Sequence, residues 1–420
     1  MQLKKENSIL AALASGAAAL MGVSPSPAAA EIPVWQVDTG VTSYVEMGDR
    51  ITVVEFAGAA KTELSEDTAL KLKVTVDTVT GASPNGATPS TRVQTFTSPS
   101  GNTEYQATSG KAPLDPTFRD TRVGGSVTWE QGLTSTLKWN VGAQLARETD
   151  HFSAGLNTGL SLDLNNRNTT LFAGVSGEAD TVNPINGIPV SMITTGPKVV
   201  KHSIKSKDTY SLGDALVGVT QTLSRRAIAQ VNFSHSQSSG YLSNPYKVLS
   251  LVDGSTGETL DYVFEKRPDT RTKESVYFRL KYSFDQDAVD LAYRHMWDSW
   301  KITSHTVEFK YYWILPSGDR LEPALRYYTQ TEADLYHTSL VFSEYLPKYA
   351  SADTRLAKFD AISAGLKYAM RFYGKSELGF KLEYYAQKGI DKPSNAIGSQ
   401  KGMDLFPELS AVVAQVTWGF

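Results

Sequence analysis

Six histidines are the first candidates for chemistry in this sequence, because imidazole is both a metal ligand and a general base. Two of them, His295 and His305, flank a short turn at Ser299 and predict a cross-strand pair that could hold copper or zinc. We favour a second interpretation, in which both rings belong to the interfacial belt of a membrane protein, since they share a strand face with Tyr293 and Trp297. The six are His151, His202, His235, His295, His305 and His337.

A catalytic centre finds little support in the remaining motifs. The sequence contains neither HExxH nor GxSxG. Serine stands next to histidine at 234–236 and 304–306, but adjacent side chains of a strand point to opposite faces and do not form a nucleophile–base pair easily. With 0 cysteines the chain has no thiolate metal site, no CxxCH haem site and no iron–sulfur ligands. We therefore expect no enzyme, no cofactor and no metal site.

The elements that must position these residues are strands of alternating polarity. LSAVVAQVTWGF, at 409–420, places Val416, Trp418 and Phe420 on one face and Gln415 and Thr417 on the other. The same pattern recurs in LGFKLEYYAQK, SVYFRLKYSF and VEFKYYWIL, where lysine, arginine and glutamate alternate with apolar residues. Such alternation suits a soluble β-protein as well as a membrane barrel, which has lipid outside and a polar lumen inside.

In a membrane barrel the two faces predict two sets of residues. The polar face gives candidate lumen-lining residues, namely Lys71, Lys73, Asp77, Lys138, Arg279, Lys281, Asp290, Arg294, Glu308, Lys310, Arg326, Lys381 and Glu383. The apolar face gives candidates for the aromatic girdle, namely Trp139, Trp297, Trp313, Trp418 and Phe420. The lumen set mixes both signs of charge, which fits either a weakly selective pore, mutual ion pairing or a wall around a plug.

The N-terminus predicts export. Lys4 and Lys5 precede an apolar run, and Ala28 and Ala30 form a small-x-small cleavage signal, so residues 1–30 are interpreted as a cleavable signal peptide and 31–420 as the mature domain. The formal net charge of -3 gives no basic signal for nucleic acid.

The connections between strands decide the class of barrel. Short turns, such as those at 165–167, 285–287 and 317–319, alternate with long segments at 80–118, 179–207, 240–271, 333–356 and 389–408. Short periplasmic turns with long outer loops are typical of bacterial outer-membrane proteins. The sequence therefore predicts an all-β, transmembrane, antiparallel up-and-down β-barrel of about 16 strands in the outer membrane, in contact with its lipids, with the first strand at 34–46.

One stretch also carries a resemblance. DRITVVEFAGAAKTEL and LKLKVTVDTVTGASPNGA, within 49–87, resemble the opening of a bacterial outer-membrane barrel family catalogued as a domain of unknown function, although Phe56 stands where that family usually has proline. The resemblance implies a part in an extracytoplasmic redox or metal-linked system, such as electron transfer, with a small lipoprotein or redox protein as partner in the lumen. It supplies no catalytic residues.

Two functions follow as hypotheses. In the first, the barrel is a scaffold or conduit wall for that redox partner. In the second, it is a general porin or small-solute transporter, and 80–118 or 240–271 is the loop that constricts the lumen.

Overall fold

The computed structural model describes residues 34–48, 50–98, 103–196, 199, 201–342, 345–371, 376–390, 392–406 and 408–420. The predicted signal peptide lies outside these residues.

Sixteen antiparallel strands form a closed barrel in which each strand pairs with its neighbour in the chain and the last pairs with the first. The predicted barrel and its strand number are confirmed. The strands are β1 Trp35–Glu46, β2 Ile51–Ser65, β3 Thr68–Pro84, β4 Leu114–Gly132, β5 Leu137–Arg147, β6 His151–Leu164, β7 Thr169–Val182, β8 Asp208–Ser224, β9 Ala227–Gly240, β10 Thr270–Ser283, β11 Ala288–Asp298, β12 Thr303–Ile314, β13 Arg320–Gln330, β14 Phe359–Arg371, β15 Glu377–Gly389 and β16 Leu409–Gly419.

The two ends of the barrel differ, as the connections predicted. At the turn end the links are tight; Asn165, Asn166 and Arg167, for example, all have positive φ angles of 50–66°, the twist that a short hairpin needs. β1 begins and β16 ends at this same end, because the strand number is even. At the opposite end, the loop end, lie the long connections. The first of them is shorter than predicted, since β3 extends to Pro84 and β4 starts at Leu114.

Most of the best-buried apolar residues lie in the connections at the loop end. One cluster joins Phe96, Tyr105, Val248 and Tyr262, a second contains Leu249, Leu251 and Val263, and a third surrounds Trp300. The loops contain short strands of their own, at Gln94–Thr97, Glu104–Ala107, Ile188–Pro189, Ser203–Lys205, Val248–Val252, Thr259–Phe264 and Leu340–Val341, and two 3-10 helices, at Thr354–Leu356 and Gly398–Gly402. Loops rich in glycine, proline and serine thus fold into a compact layer.

In the part of the chain that the structure describes, no helix has both the length and the apolar character needed to cross a membrane.

Candidate functional site

The barrel has an apolar outer face and a polar inner face. Leu145, Leu156 and Leu382 keep 60, 68 and 61 % of their surface exposed on the face that the apolar register presents outward. The opposite register points into the closed interior. The structure places the thirteen candidate lumen residues in this inward register, through the pairing of their strands.

The aromatic candidates all lie on the outer face. Trp139, Trp313, Trp418 and Phe420 are close to the turn end, whereas Trp297 is at the loop end. The ring centroids of Trp418 and Phe420 are 5.0 Å apart. A belt near each rim is the arrangement of a membrane girdle, and the lipid contact of these five rings stays a prediction.

The histidine pair also lies on this outer face. His295 and His305 are directly opposite each other, as predicted, with ring centroids 4.7 Å apart. The ring of His295 is 5.2 Å from that of Trp297, and Nδ1 of His305 is 2.8 Å from the hydroxyl of Tyr293. These neighbours fit the interfacial interpretation, because two imidazoles supply only half of the four ligands that zinc commonly takes.

Several inner-face charges are paired with a partner on the wall. Arg279 donates from Nε to Asp290 at 2.8 Å and from a terminal nitrogen to its second oxygen. Other pairs are Lys71–Glu130 at 2.5 Å, Arg326–Glu308 at 3.2 Å and Lys381–Glu383 at 2.7 Å. Pairing of opposite signs lowers the cost of placing charges on the wall.

The interior is not filled by these side chains. Glu308 and Arg326 point inward at mid-strand, yet their side chains keep 53 and 44 % of their surface exposed. Side chains inside a closed barrel can be exposed to this extent only where the interior leaves space for water beside them. A sixteen-stranded barrel is of the size that leaves an aqueous channel.

The net charge of the inner wall changes sign around the circumference of the barrel. Among the described strands, β4–β9 carry more carboxylates than cations on the inner face, and β10–β15 carry more cations. The acidic sector has Asp120, Glu130, Asp163, Glu178, Asp180, Asp208 and Asp214 against Arg122 and Lys138. The basic sector has Arg271, Lys273, Arg279, Lys281, Arg294, Lys310, Arg320, Arg326, Lys367, Arg371 and Lys381 against Asp290, Asp298, Glu308, Glu322, Glu377 and Glu383.

A cap covers the loop end of the barrel. We use this name for the loops that follow β3, β9, β13 and β15, at 85–113, 241–269, 331–358 and 390–408. The backbone nitrogen of Val248 donates to Asn85 at 2.9 Å, and that of Ser399 donates to Thr256 at 2.8 Å. The loop after β9 thereby contacts loops that leave the ring six strands away in either direction. Loops attached so far apart can meet only by crossing the mouth, so the cap extends over it.

A buried ionic cluster holds two of these loops together. Arg267, from the loop after β9, contacts Glu265 at 2.6 Å and Asp353, from the loop after β13, at 2.8 Å. Arg355 also forms an ion pair with Asp353. Burial alone would raise the pKa of Asp353, but Arg355, Lys247 and Arg267 hold it well below its ordinary value. The carboxylate is therefore ionised inside the cap.

A lysine at the base of the cap is affected by the same surroundings. Nζ of Lys247 donates to the carbonyl of Pro84, and burial lowers the pKa of this lysine to about 8, although Asp353 opposes the shift. Beside it, where the cap meets the wall, lies a cavity of about 60 Å³ lined also by Arg50, Gln387 and Phe406. This volume holds a few water molecules and no larger solute. The lumen below the cap is the better candidate for a functional site.

A cluster of three acidic residues was not predicted from the sequence. Carboxylate oxygens of Asp120, Glu148 and Asp150 lie within 4.8 Å of one another at the loop end of β4 and β5. The hydroxyl and the backbone nitrogen of Thr149 already donate to Asp120, at 2.8 and 3.2 Å. Arg122 lies 3.9 Å from Glu148. These donors account for two of the three carboxylates without a metal ion.

Comparisons with known proteins identify a family. A family model described as "Protein of unknown function (DUF3570)" matches residues 10–420, so the chain belongs to this family. The predicted resemblance to a family catalogued as a domain of unknown function is confirmed. No curated protein matches the sequence.

Solved structures with a similar fold are outer-membrane proteins. OccK2 (OpdF) of Pseudomonas aeruginosa, solved with glucuronate, is 9% identical with a TM-score of 0.41, and the match covers 92% of this chain and 98% of that one. OprB of Pseudomonas putida is 10% identical with a TM-score of 0.42, over 92% of this chain and 93% of that one. The siderophore receptor PirA of Acinetobacter baumannii is 9% identical with a TM-score of 0.43; the match covers 84% of this chain and 53% of PirA, so the chain spans about half of that receptor.

Proposed function

Because this chain belongs to the DUF3570 family, whose function is unknown, we propose its function from its own geometry: the barrel is a passage for small hydrophilic solutes across the outer membrane, and the cap is its outer filter. The exposure of the inward-facing Glu308 and Arg326 carries this proposal, because it requires space for water inside the barrel. Residues of both charges line that interior, and such a wall keeps water and ions in contact with polar groups along the path.

The cap supports a filter rather than an unrestricted pore. It has its own apolar core, and its four loops leave the ring at separate points and meet across the mouth. Solutes that enter from the loop end must pass between or beside its loops. We therefore expect selection by size at this end, before the wider lumen.

Swelling of proteoliposomes tests the proposal. Vesicles that contain the folded barrel are transferred to iso-osmotic arabinose, sucrose or raffinose, and the rate of swelling is followed by light scattering. We expect arabinose to enter fastest and raffinose slowest. Vesicles with heat-denatured protein are the control, and the absence of swelling with all three sugars, despite a folded barrel, would overturn the proposal.

The hypothesis that the barrel is a scaffold for a lipoprotein or redox partner stays a prediction of the family resemblance. The accessible lumen leaves room for such a partner, but the described contacts identify none. Co-purification from the outer membrane is its test, and a protein retained in fixed ratio inside the barrel would replace the passage as the main function.

A further inference from the structure

We propose that a basic patch on the inner wall, formed by Tyr277, Lys281, Arg294, Lys310 and Tyr312, binds small anions that bear carboxylate or phosphate oxygens. This inference rests on the proposed passage and names the class of solute that it favours. The patch occupies β10, β11 and β12, inside the basic sector and on the turn side of the cap.

The carboxylates around the patch already have partners. Asp290 receives two hydrogen bonds from Arg279. Glu308 pairs with Arg326 at 3.2 Å. Glu322 pairs with Arg320 at 2.5 Å. Each neighbouring acid is thereby matched by an arginine of its own.

Three cations remain in surplus. Among the described residues, Lys281, Arg294 and Lys310 have tyrosine rings as close partners and no ion pair. Nζ of Lys281 lies 4.8 Å from the ring centroid of Tyr312, and Nζ of Lys310 lies 6.0 Å from the same centroid. The guanidinium of Arg294 lies 5.5 Å from the ring of Tyr277. A ring attracts a cation without neutralising its charge, so these groups keep their capacity to bind an anion.

The arrangement suits anionic oxygens. Lys281 and Lys310 occupy the same cross-strand row, on either side of Asp290, and their ammonium groups approach one ring from two strands. Lysine offers three donors and arginine offers a planar fork, and both bind carboxylate and phosphate. Lys310 is exposed to the interior, so a solute in the lumen can reach it. Rings and patches of lysine and arginine are what anion-selective pores present to their path.

The reversal potential across a planar bilayer tests this site. The two sides contain KCl at different concentrations, and the ratio of chloride to potassium permeability is compared between the wild type and K281Q/K310Q. We expect the wild type to be more permeable to chloride than to potassium. In the double variant the ratio of chloride to potassium permeability should fall at least about twofold, and by more at low salt, where charges are screened less. Sodium succinate and sodium phosphate are then added separately, and each is expected to reduce the chloride current of the wild type more than that of the variant. If only one of the two salts reduces the current, that result shows whether the patch prefers carboxylate or phosphate.

A matched variant separates the patch from net charge. K61Q/K138Q also removes two inner-face lysines, but away from the patch, and it should keep the preference for chloride. Equal loss in both double variants, or a wild type that favours potassium, would overturn the inference while leaving the passage intact. A barrel that does not conduct would overturn the passage instead. In that case, calorimetric titration of the detergent-solubilised protein with succinate and with phosphate tests the basic patch directly. We expect the wild type to bind at least one of these anions and K281Q/K310Q to bind it more weakly. If neither anion binds, the inference is rejected.

Discussion

Val37 and Phe420 exchange two backbone hydrogen bonds, with nitrogen–oxygen distances of 2.8 and 2.9 Å. They are the outermost bonds of the ladder between β1 and β16, which closes the barrel. The last residue of the sequence is therefore part of the wall. Its ring packs on that of Trp418 on the outer face.

Deletion of Phe420 should weaken this closure. Both bonds to Val37 are lost, and since a hydrogen bond contributes a net ~1 kcal/mol, we expect the free energy of unfolding to fall by about 1–3 kcal/mol. F420A retains the backbone bonds and should lose only the ring contact, about 0.5–1.5 kcal/mol. Urea unfolding in lipid vesicles measures both. A larger loss in F420A than in the deletion would contradict this account of closure.

The outward face can be tested with a charge. Leu156 lies at the middle of β6 on the outer face, and L156R should destabilise the barrel by about 2–4 kcal/mol because arginine at the bilayer midplane is costly. The adjacent Asn157 points inward, so N157R should cost much less. Folding into vesicles, followed by the heat-dependent shift of the band on a gel, compares the two. If N157R were the more harmful, the two faces would be assigned the wrong way round.

The ionic cluster of the cap gives a third prediction. D353N takes from Arg355 its buried counter-charge and leaves Arg267 with Glu265 alone, which we expect to destabilise the cap by about 3–5 kcal/mol. Trypsin should then cut after Lys266 or Arg355, while the barrel keeps its heat-dependent gel shift; the bond after Arg267 precedes Pro268 and resists trypsin. D334N changes an exposed carboxyl of the same loop and is the matched control. Equal resistance of D353N and the wild type would show that the cluster does not hold the cap closed.

Acid should open the cap for the same reason. The pKa of Asp353 is held below its ordinary value of 3.8, so its ionised form stabilises the folded cap above that pH, and this contribution is lost as the pH falls through the lower pKa of the folded state. Digestion by pepsin at decreasing pH should cut the cap of the wild type only at the acid end of the series. D353N should be cut at every pH tested. A wild-type cap that becomes more accessible as the pH rises from 4 would contradict the sign of this effect.

The barrel was predictable from the sequence because its cause is local. Alternation in stretches such as 378–388 fixes which side chains face outward, and short turns that alternate with long loops give an even number of strands. The stretch 34–46 alternates poorly in sequence, yet β1 occupies Trp35–Glu46 as predicted. Its place is set by pairing with β2 and β16 as much as by its own pattern.

The cap was not predicted, because its packing is between loops far apart in the sequence. A signal was present at 248–252, where VLSLV is a continuous apolar run inside a segment interpreted as a surface loop. All five of these residues are buried in the structure. Which loops they meet depends on the order of strands around the ring, and this order emerges only from the closed barrel.

The basic patch was predicted in part. Lys281, Arg294 and Lys310 were assigned to the lumen from their register, but alternation does not reveal which of the surrounding acids are already paired. Arg279 and Asp290 lie on neighbouring strands in adjacent rows, and their bond is what leaves Lys281 and Lys310 in surplus. Such partners are set by side-chain geometry.

Single-channel conductance in a planar bilayer tests the central claim, an accessible lumen beneath a cap. The wild type should give steady steps of current that are proportional to voltage, and D353N, with its cap loosened, should give larger steps. If a folded, heat-modifiable barrel is silent in both forms, the lumen is closed by something other than the cap and the passage is refuted.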